Sequence, residues 1–290
     1  MSKLPTRMSK LTAQQIHFEL VTRATNLPGR EVLDWCHAHP DVVSLLSGSM
    51  PGHTSVVNAA GMMEGFTRHP DALRPLRAMA FGRWSPTHLW VVTGSTQTAA
   101  SLVDAAKGWN LTRDAHEGRW FDRDPRMVSL RCLDGAREGG AAPDDAVRSL
   151  RDDPAPHEAT PLELQLELLR RTRFNAFRGP RIYDDLLARR DLWRAAVFGR
   201  DDVVFVERNG EHVHAAPFWN TLNLLPVEAV EGYNADQLWV LTPSADAGRA
   251  LLDLACQRWR CDERRMWNRA NARRAAGCQG DERIVSLWWD

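Results

Sequence analysis

LWVVTGSTQTAASLVDAA, residues 89–106, is answered 149 residues later by LWVLTPSADAGRALLDLA, residues 238–255. Eight of the eighteen aligned positions are identical, more than composition alone supplies, so the two stretches read as copies of one unit. Each opens on a short apolar run, passes through a polar turn and continues with apolar residues at helical spacing. The pattern predicts a buried strand, a turn and a packed helix, written twice.

The correspondence extends outward from this pair. LTAQQIHFELVTR (11–23) aligns with ATPLELQLELLRR (159–171) at an offset of 148. Both start on a capping box, Thr12 with Gln15 and Thr160 with Glu163, in which a hydroxyl and a longer side chain satisfy orphan N–H groups reciprocally. Pro161 suits the first helical position of the second copy. RMVSL (126–130) aligns with RIVSL (283–287) at an offset of 157, so the second copy carries eight extra residues just before its last strand.

Within each copy a shorter helix is predicted at 31–39 or 182–190. Strands follow at 42–46 and 55–60, answered by 194–199, 203–208 and 212–219. Asn209-Gly210 between the last two is a hairpin signal, because a type I′ turn needs positive φ at both central residues. On the signature helices Leu102, Val103, Ala106 and Trp109, and Leu251, Leu252, Ala255 and Trp259, fall on one face and are predicted to pack on the sheet. Residues 135–161 are Gly-, Ala-, Pro- and Asp-rich without an aromatic, which is linker chemistry, with a short helix at 144–151. The expected architecture is α+β, or an α/β sandwich: a tandem duplication with a first copy at 1–134, a linker at 135–161 and a second copy at 162–290, packed as a pseudo-dimer.

Charge and cysteine content narrow the function classes. The 37 basic and 37 acidic residues cancel, which argues against a chain-wide nucleic-acid coat while leaving room for a local basic patch. The cysteines, Cys36, Cys132, Cys256, Cys261 and Cys278, are odd in number and form no CxxC pair, as expected of reduced cytosolic thiols. The N-terminal stretch has no signal-like apolar segment and no run reaches membrane-spanning length, so a soluble cytoplasmic protein is expected.

The chemical candidates are each matched by a simpler structural role. Ser47–Thr54 lacks the lysine of a phosphate-binding loop and reads as a connecting turn. Cys36 and His39 share a helical face, but no second cluster completes a metal site. His212 and His214 fall on one side of a hairpin strand with nothing converging on them. Ser95 and Ser244 read as helix N-caps rather than nucleophiles, since neither lies in a G-x-S-x-G elbow. Asp104 and Asp253 recur beside the apolar stripe. No catalytic residue, metal ligand or cofactor is assigned.

Two features point to binding instead. The chain holds 12 tryptophans, and Trp120, Trp219, Trp267, Trp288 and Trp289 lie where the copies differ, as interface indoles would. The stretch 260–283 carries seven basic and four acidic residues, against four and four in its counterpart at 110–126. On a helix Arg265, Arg269 and Arg273 would form one stripe, and Arg264, Arg265, Trp267, Arg269, Arg273 and Arg274 are the candidate partner-binding residues, suited to carboxylates or phosphates. The leading expectation is a non-catalytic, intracellular bacterial binding protein of the immunity, inhibitor or adaptor type. It would recognise a protein through a Trp/Arg-rich surface or an inter-domain groove. A nucleic-acid-associated protein using 264–274, and an enzyme with a site assembled only by folding, are the alternatives.

Overall fold

The structure is a computed structural model and describes residues 7–48, 74–86, 88–109, 111–113, 127–132, 155–174, 176–199, 204–208, 211–215 and 237–289. The predicted strand at 55–60, the helix at 144–151, and Trp120 and Trp219 lie outside them. The fold is α+β. Two four-stranded sheets are formed and every strand pairing in them is antiparallel.

The first sheet contains β1 (Val42–Gly48), β2 (His88–Thr93), β3 (Leu111–Arg113) and β4 (Met127–Cys132), in the order β1-β2-β4-β3. Helices α1 (Ala13–Thr22) and α2 (Gly29–Ala38) precede it, α3 (Arg74–Ala80) lies before β2, and α4 (Thr96–Gly108) follows β2. In the second half α5 (Pro161–Arg170), the two-residue strands β5 (Arg173–Phe174) and β6 (Phe177–Arg178), and α6 (Gly179–Ala188) come first. Its main sheet holds β7 (Ala195–Gly199), β10 (Gln237–Thr242), β11 (Glu263–Met266) and β12 (Arg283–Trp288), in the order β7-β10-β12-β11. Strands β8 (Val204–Arg208) and β9 (Glu211–Ala215) pair separately with Arg208 opposite Glu211, the register a two-residue turn requires. Helices α7 (Ala245–Arg258) and α8 (Arg269–Ala276) complete the chain.

Taken in order along the chain, the four strands of each sheet are arranged first, second, fourth, third. The registers also correspond. Trp90 lies between Leu46 and Ser129, and Trp239 between Val197 and Ser286. The caps recur as well. Thr12 and Thr160 both form complete capping boxes, and the Ser95 and Ser244 hydroxyls accept from Thr98 N and Ala247 N at 3.1 Å. Leu102, Ala106, Leu251 and Ala255 are buried as the helical stripe predicts, whereas Val103 and Leu252 sit on its partly buried flank.

A second pair of matched positions was not read from the sequence. A Cβ at Gly29 would lie 2.0 Å from the Val21 carbonyl oxygen, and one at Gly179 would lie 2.0 Å from that of Leu169. At both places the next helix starts directly on the end of the previous one, and only a hydrogen fits between them.

Helices α1 and α5 pack against each other, and arginines at their C-caps tie the ends together. Arg23 donates to the carbonyls of Pro156 at 3.4 Å and His157 at 2.7 Å, just ahead of α5. Arg171 donates to the carbonyls of Met8 and Ser9, both at 3.3 Å, and of Leu11, just ahead of α1. Each guanidinium is oriented by the glutamate one turn earlier, Glu19 at 3.1 Å and Glu167 at 2.8 Å. The contact is reciprocal, and it sets the two helices antiparallel.

The cores do not divide at the linker. One cluster joins Leu45, Leu89, Val91, Leu102, Val128 and Leu130 of the first sheet to its helices. The larger cluster, around α5 and the second sheet, also takes in Met8, Leu11, Ile16, Leu20, Leu76, Met79 and Trp84 from the first half. Helix α3 lies on β7 and β10 and touches α8, so it covers the second sheet rather than the first. Every residue of β10 is therefore buried, Trp239 and Leu241 included.

Substitution at the two tight glycines is expected to be costly. Gly29→Ala and Gly179→Ala should each lower unfolding free energy by about 1–3 kcal/mol, because the methyl group meets backbone that cannot turn aside. Gly108→Ala, where a Cβ meets nothing within 4 Å, should stabilise by about 0.5–1 kcal/mol. Chemical denaturation of the three variants checks this; a neutral Gly179→Ala would show that the helix junction is not tight.

Candidate functional site

The arginine-rich segment is not one helix. Glu263–Met266 form β11, the edge strand beside β12, with Arg264 opposite Leu287 and Arg265 opposite Ser286. The strand ends because Trp267 turns inward. Its amide donates to the Ile284 carbonyl at 2.8 Å, its indole N–H donates to Ser286 Oγ at 3.0 Å, and the ring is 7% exposed. Asn268 then caps a new helix by accepting from Asn271 N at 2.8 Å. Alanine and arginine favour helix through 269–276, with Ala272, Ala275 and Ala276 forming the buried face. Gly277, at φ 67°, stops it in the left-handed conformation and donates to the Arg273 carbonyl at 2.9 Å.

This corrects the expected stripe through Arg265, Arg269 and Arg273. Arg265 is on a strand and Arg269 is the first helical residue, so the spacing of four does not stack them. Alternation along β11 also separates neighbours. Met266 lies beside Gly248 of α7, so Arg264, two residues earlier, shares the face that carries α7. Arg265 takes the opposite face with Ser286, where Trp267 is anchored. Trp267 itself is an internal anchor and offers no exposed ring.

What α8 presents outward is Arg269 and Arg273, one turn apart, with Arg274 beside them, all exposed. None of these three, nor Arg264 or Arg265, has an ion-pair partner within 4 Å among the described residues. Asp281 feels the charge of Arg269, and Arg273 and Arg274 also complement the negative end of the helix dipole. The acidic residues near this face, Glu263 and Asp281, are exposed too. The surface is basic in excess but mixed.

The remaining candidates fall into structural roles. Ser95 and Ser244 are N-caps, and each helix start gains a carboxylate: Asp41 Oδ2 accepts from Ser95 Oγ at 2.8 Å, and Asp281 Oδ2 from Ala245 N at 3.0 Å. Cys36 is buried, which pushes its thiol up to about 12, while His39 stacks on Trp35 and hydrogen-bonds the Trp35 carbonyl at 2.7 Å. His212 and His214 occupy β9, opposite Glu207 and Phe205. Asp104 pairs with Lys107 at 2.8 Å on the surface, and Asp253 is exposed. Among the described residues no group of three or more His, Cys, Asp and Glu is placed to hold a metal ion, and no helix is long and apolar enough to cross a membrane.

The C-terminal indoles differ in exposure. Trp289 is fully buried against Phe177 with its N–H on the Trp259 carbonyl at 2.9 Å, whereas Trp288 is partly exposed. Comparisons with known protein families, curated proteins and solved structures find no match for this chain.

Acid sensitivity should report on the Asp281 cap. The Ala245 N–H, together with Arg283, holds this carboxyl below the usual aspartate range. Its stabilising contribution is therefore complete above the ordinary aspartate pKa of about 3.9 and is lost as pH falls through the depressed value. The unfolding midpoint of the parent chain should fall more steeply between about pH 4 and pH 2 than that of Asp281→Asn. Parallel slopes would remove the cap from the account.

Proposed function

We propose that this chain is a non-catalytic binding protein of the immunity, inhibitor or adaptor type, acting in a bacterial cytoplasm. On this reading the outward face of α8 recognises carboxylates on a protein partner. The observation that carries it is the exposure of Arg269, Arg273 and Arg274 without ion-pair partners among the described residues, on a helix fixed from beneath by three buried alanines and a buried Trp267. Guanidinium groups held on a rigid element bind carboxylates with two parallel hydrogen bonds and lose little side-chain freedom in doing so. Arg265, on the sheet face that anchors Trp267, extends the basic surface, and Arg264 serves the other side of the same edge strand.

We also infer that the halves, residues 1–134 and 162–290 joined by 135–161, descend from one duplicated unit and associate as a pseudo-dimer. Support comes from the shared strand order, the matched registers and caps, and the reciprocal Arg23 and Arg171 contacts. An isologous contact of this kind is the signature of two-fold association.

Nucleic acid is the second reading, because phosphates suit the same guanidinium groups. The exposed Glu263 and Asp281 beside them, and a net charge of zero, favour a partner of mixed charge over a continuous polyanion.

The test replaces the three helix arginines together by glutamine, which removes their charge without opposing the helix dipole. Affinity purification identifies partners, and a candidate counts only if the complex re-forms from purified components. The triple variant should lose that complex while its unfolding midpoint stays within about 2 °C of the parent, as exposed substitutions do. Retention of heterogeneous nucleic acid by the parent chain, falling steeply with salt and lost in the variant, would move the assignment to nucleic acid. An intact protein complex in the variant would return α8 to the status of solvated surface.

A further inference from the structure

The sheet of the second half ends on β11, and no described strand pairs with its outer side. In an antiparallel ladder the backbone groups of successive residues turn alternately toward one neighbour and the other. The Trp267 amide donates to the Ile284 carbonyl, so in the same register Arg265 and Glu263 direct their N–H and C=O groups at β12. Arg264 and Met266 direct theirs outward. Glu263, Arg264 and Arg265 are exposed and Met266 is only partly buried, so water reaches that side of the strand.

Charge is distributed unevenly along this edge. Arg264 and Arg265 occupy its middle, and neither has an ion-pair partner among the described residues. Their side chains take opposite faces, Arg264 with Met266 on the side of α7 and Arg265 with Glu263 on the side where Trp267 is anchored. Asp262 and Glu263 place negative charge at one end, and Met266 gives the other an apolar side chain. A short, charged edge repels most strands and selects those of complementary charge.

A second copy of β11 is a poor match for this edge. Hydrogen bonds across it must join outward-facing residues, and two antiparallel registers that do so overlap the whole strand. One sets Arg264 opposite its own copy and the other sets Arg265 opposite its own copy, and like charges directly opposite are destabilising. In the first register Glu263 also meets the Arg265 of the other copy, which offsets only part of the repulsion.

We propose that, given a protein-binding role for this basic surface, β11 receives an extended acidic segment of the partner as an added antiparallel strand. From its N-terminus the segment is apolar opposite Met266, acidic opposite Arg265 and Arg264, and basic opposite Glu263. Its backbone exchanges hydrogen bonds with Arg264 and Met266, which supply affinity without regard to sequence. Its two carboxylates emerge on opposite faces, one for each guanidinium, and these pairs supply selectivity. Nucleic acid has no backbone N–H to continue such a ladder.

The test uses the full-length chain and a fluorescein-labelled peptide with the core Val-Glu-Glu-Lys, followed by anisotropy at low salt. Saturable binding is expected, and a Val-Lys-Lys-Lys core should not bind. N-methylation of the valine or the second glutamate, whose amides face β11, should weaken binding about tenfold or more. The same change at the first glutamate or the lysine, whose amides face away, should leave affinity within about twofold. Arg264→Glu with Arg265→Glu, both at exposed positions, should reverse the preference of the chain toward the Val-Lys-Lys-Lys core. Hydrogen exchange of the parent alone should be fast at the Arg264 and Met266 amides and slow at Arg265 and Trp267, and the peptide should slow the first pair. The glutamine variant of α8 should bind the peptide as the parent does, so a failed peptide beside an intact α8-dependent complex removes the added strand and leaves the role of α8 standing. The proposal is overturned if the peptide does not saturate, if methylation acts equally at alternate positions, or if the α8 variant loses the peptide. It is equally overturned if the Arg264 and Met266 amides are already protected in a self-associated form of the parent, which would give the edge to a second copy.

Discussion

Nine of the ten residues of α5 are buried, and three of them, Glu163, Gln165 and Glu167, are polar. A buried carboxylate is tolerated only when hydrogen-bonded and paired, so the position of this helix dictates much of what surrounds it. Glu163 is satisfied locally by the Thr160 amide at 2.7 Å. Glu167 receives Arg170 and Arg171 together, and Arg171 in turn reaches the carbonyls ahead of α1. The charge on one buried residue is thus connected through a single guanidinium to the opposite half of the chain. Removing Arg171 would leave Glu167 with Arg170 and withdraw a donor from the carbonyls of Met8, Ser9 and Leu11.

That constraint explains why the cores are unequal. The α1/α5 contact brings Met8, Leu11, Ile16 and Leu20 into the larger cluster, and α3 follows them across to cover β7 and β10. The smaller cluster is left with the first sheet and the remaining faces of its helices. Matching positions consequently meet different surroundings. Leu166 of α5 is fully buried where Phe18 of α1 is partly exposed, and Trp259 is sealed where Trp109 is open. Two similar stretches of sequence therefore carry different surface chemistry.

Local signals were the legible ones. The capping boxes, the serine caps, the Asn-Gly hairpin register and the inward Leu102 and Leu251 all depend on neighbours a few residues away. The path of α3 depends on contacts with strands far along the chain, and no periodicity encodes it. Arg23 and Arg171 occupy equivalent places, but their acceptors are backbone carbonyls, which have no residue-type signature. The stripe through Arg265 failed because periodicity alone cannot distinguish a strand followed by a capped helix from one longer helix; Asn268, an N-cap residue three places before Asn271, was the available clue.

The crossing of α3 also has a consequence for how the chain is made. Synthesis proceeds from the N-terminus, so Leu76 and Met79 leave the ribosome on the order of a hundred residues before the strands they will cover. During that interval the strands β7 and β10 that they cover do not yet exist, whereas the strands of the first sheet are all complete by Cys132. The larger core can therefore close only after the second half of the chain has been made.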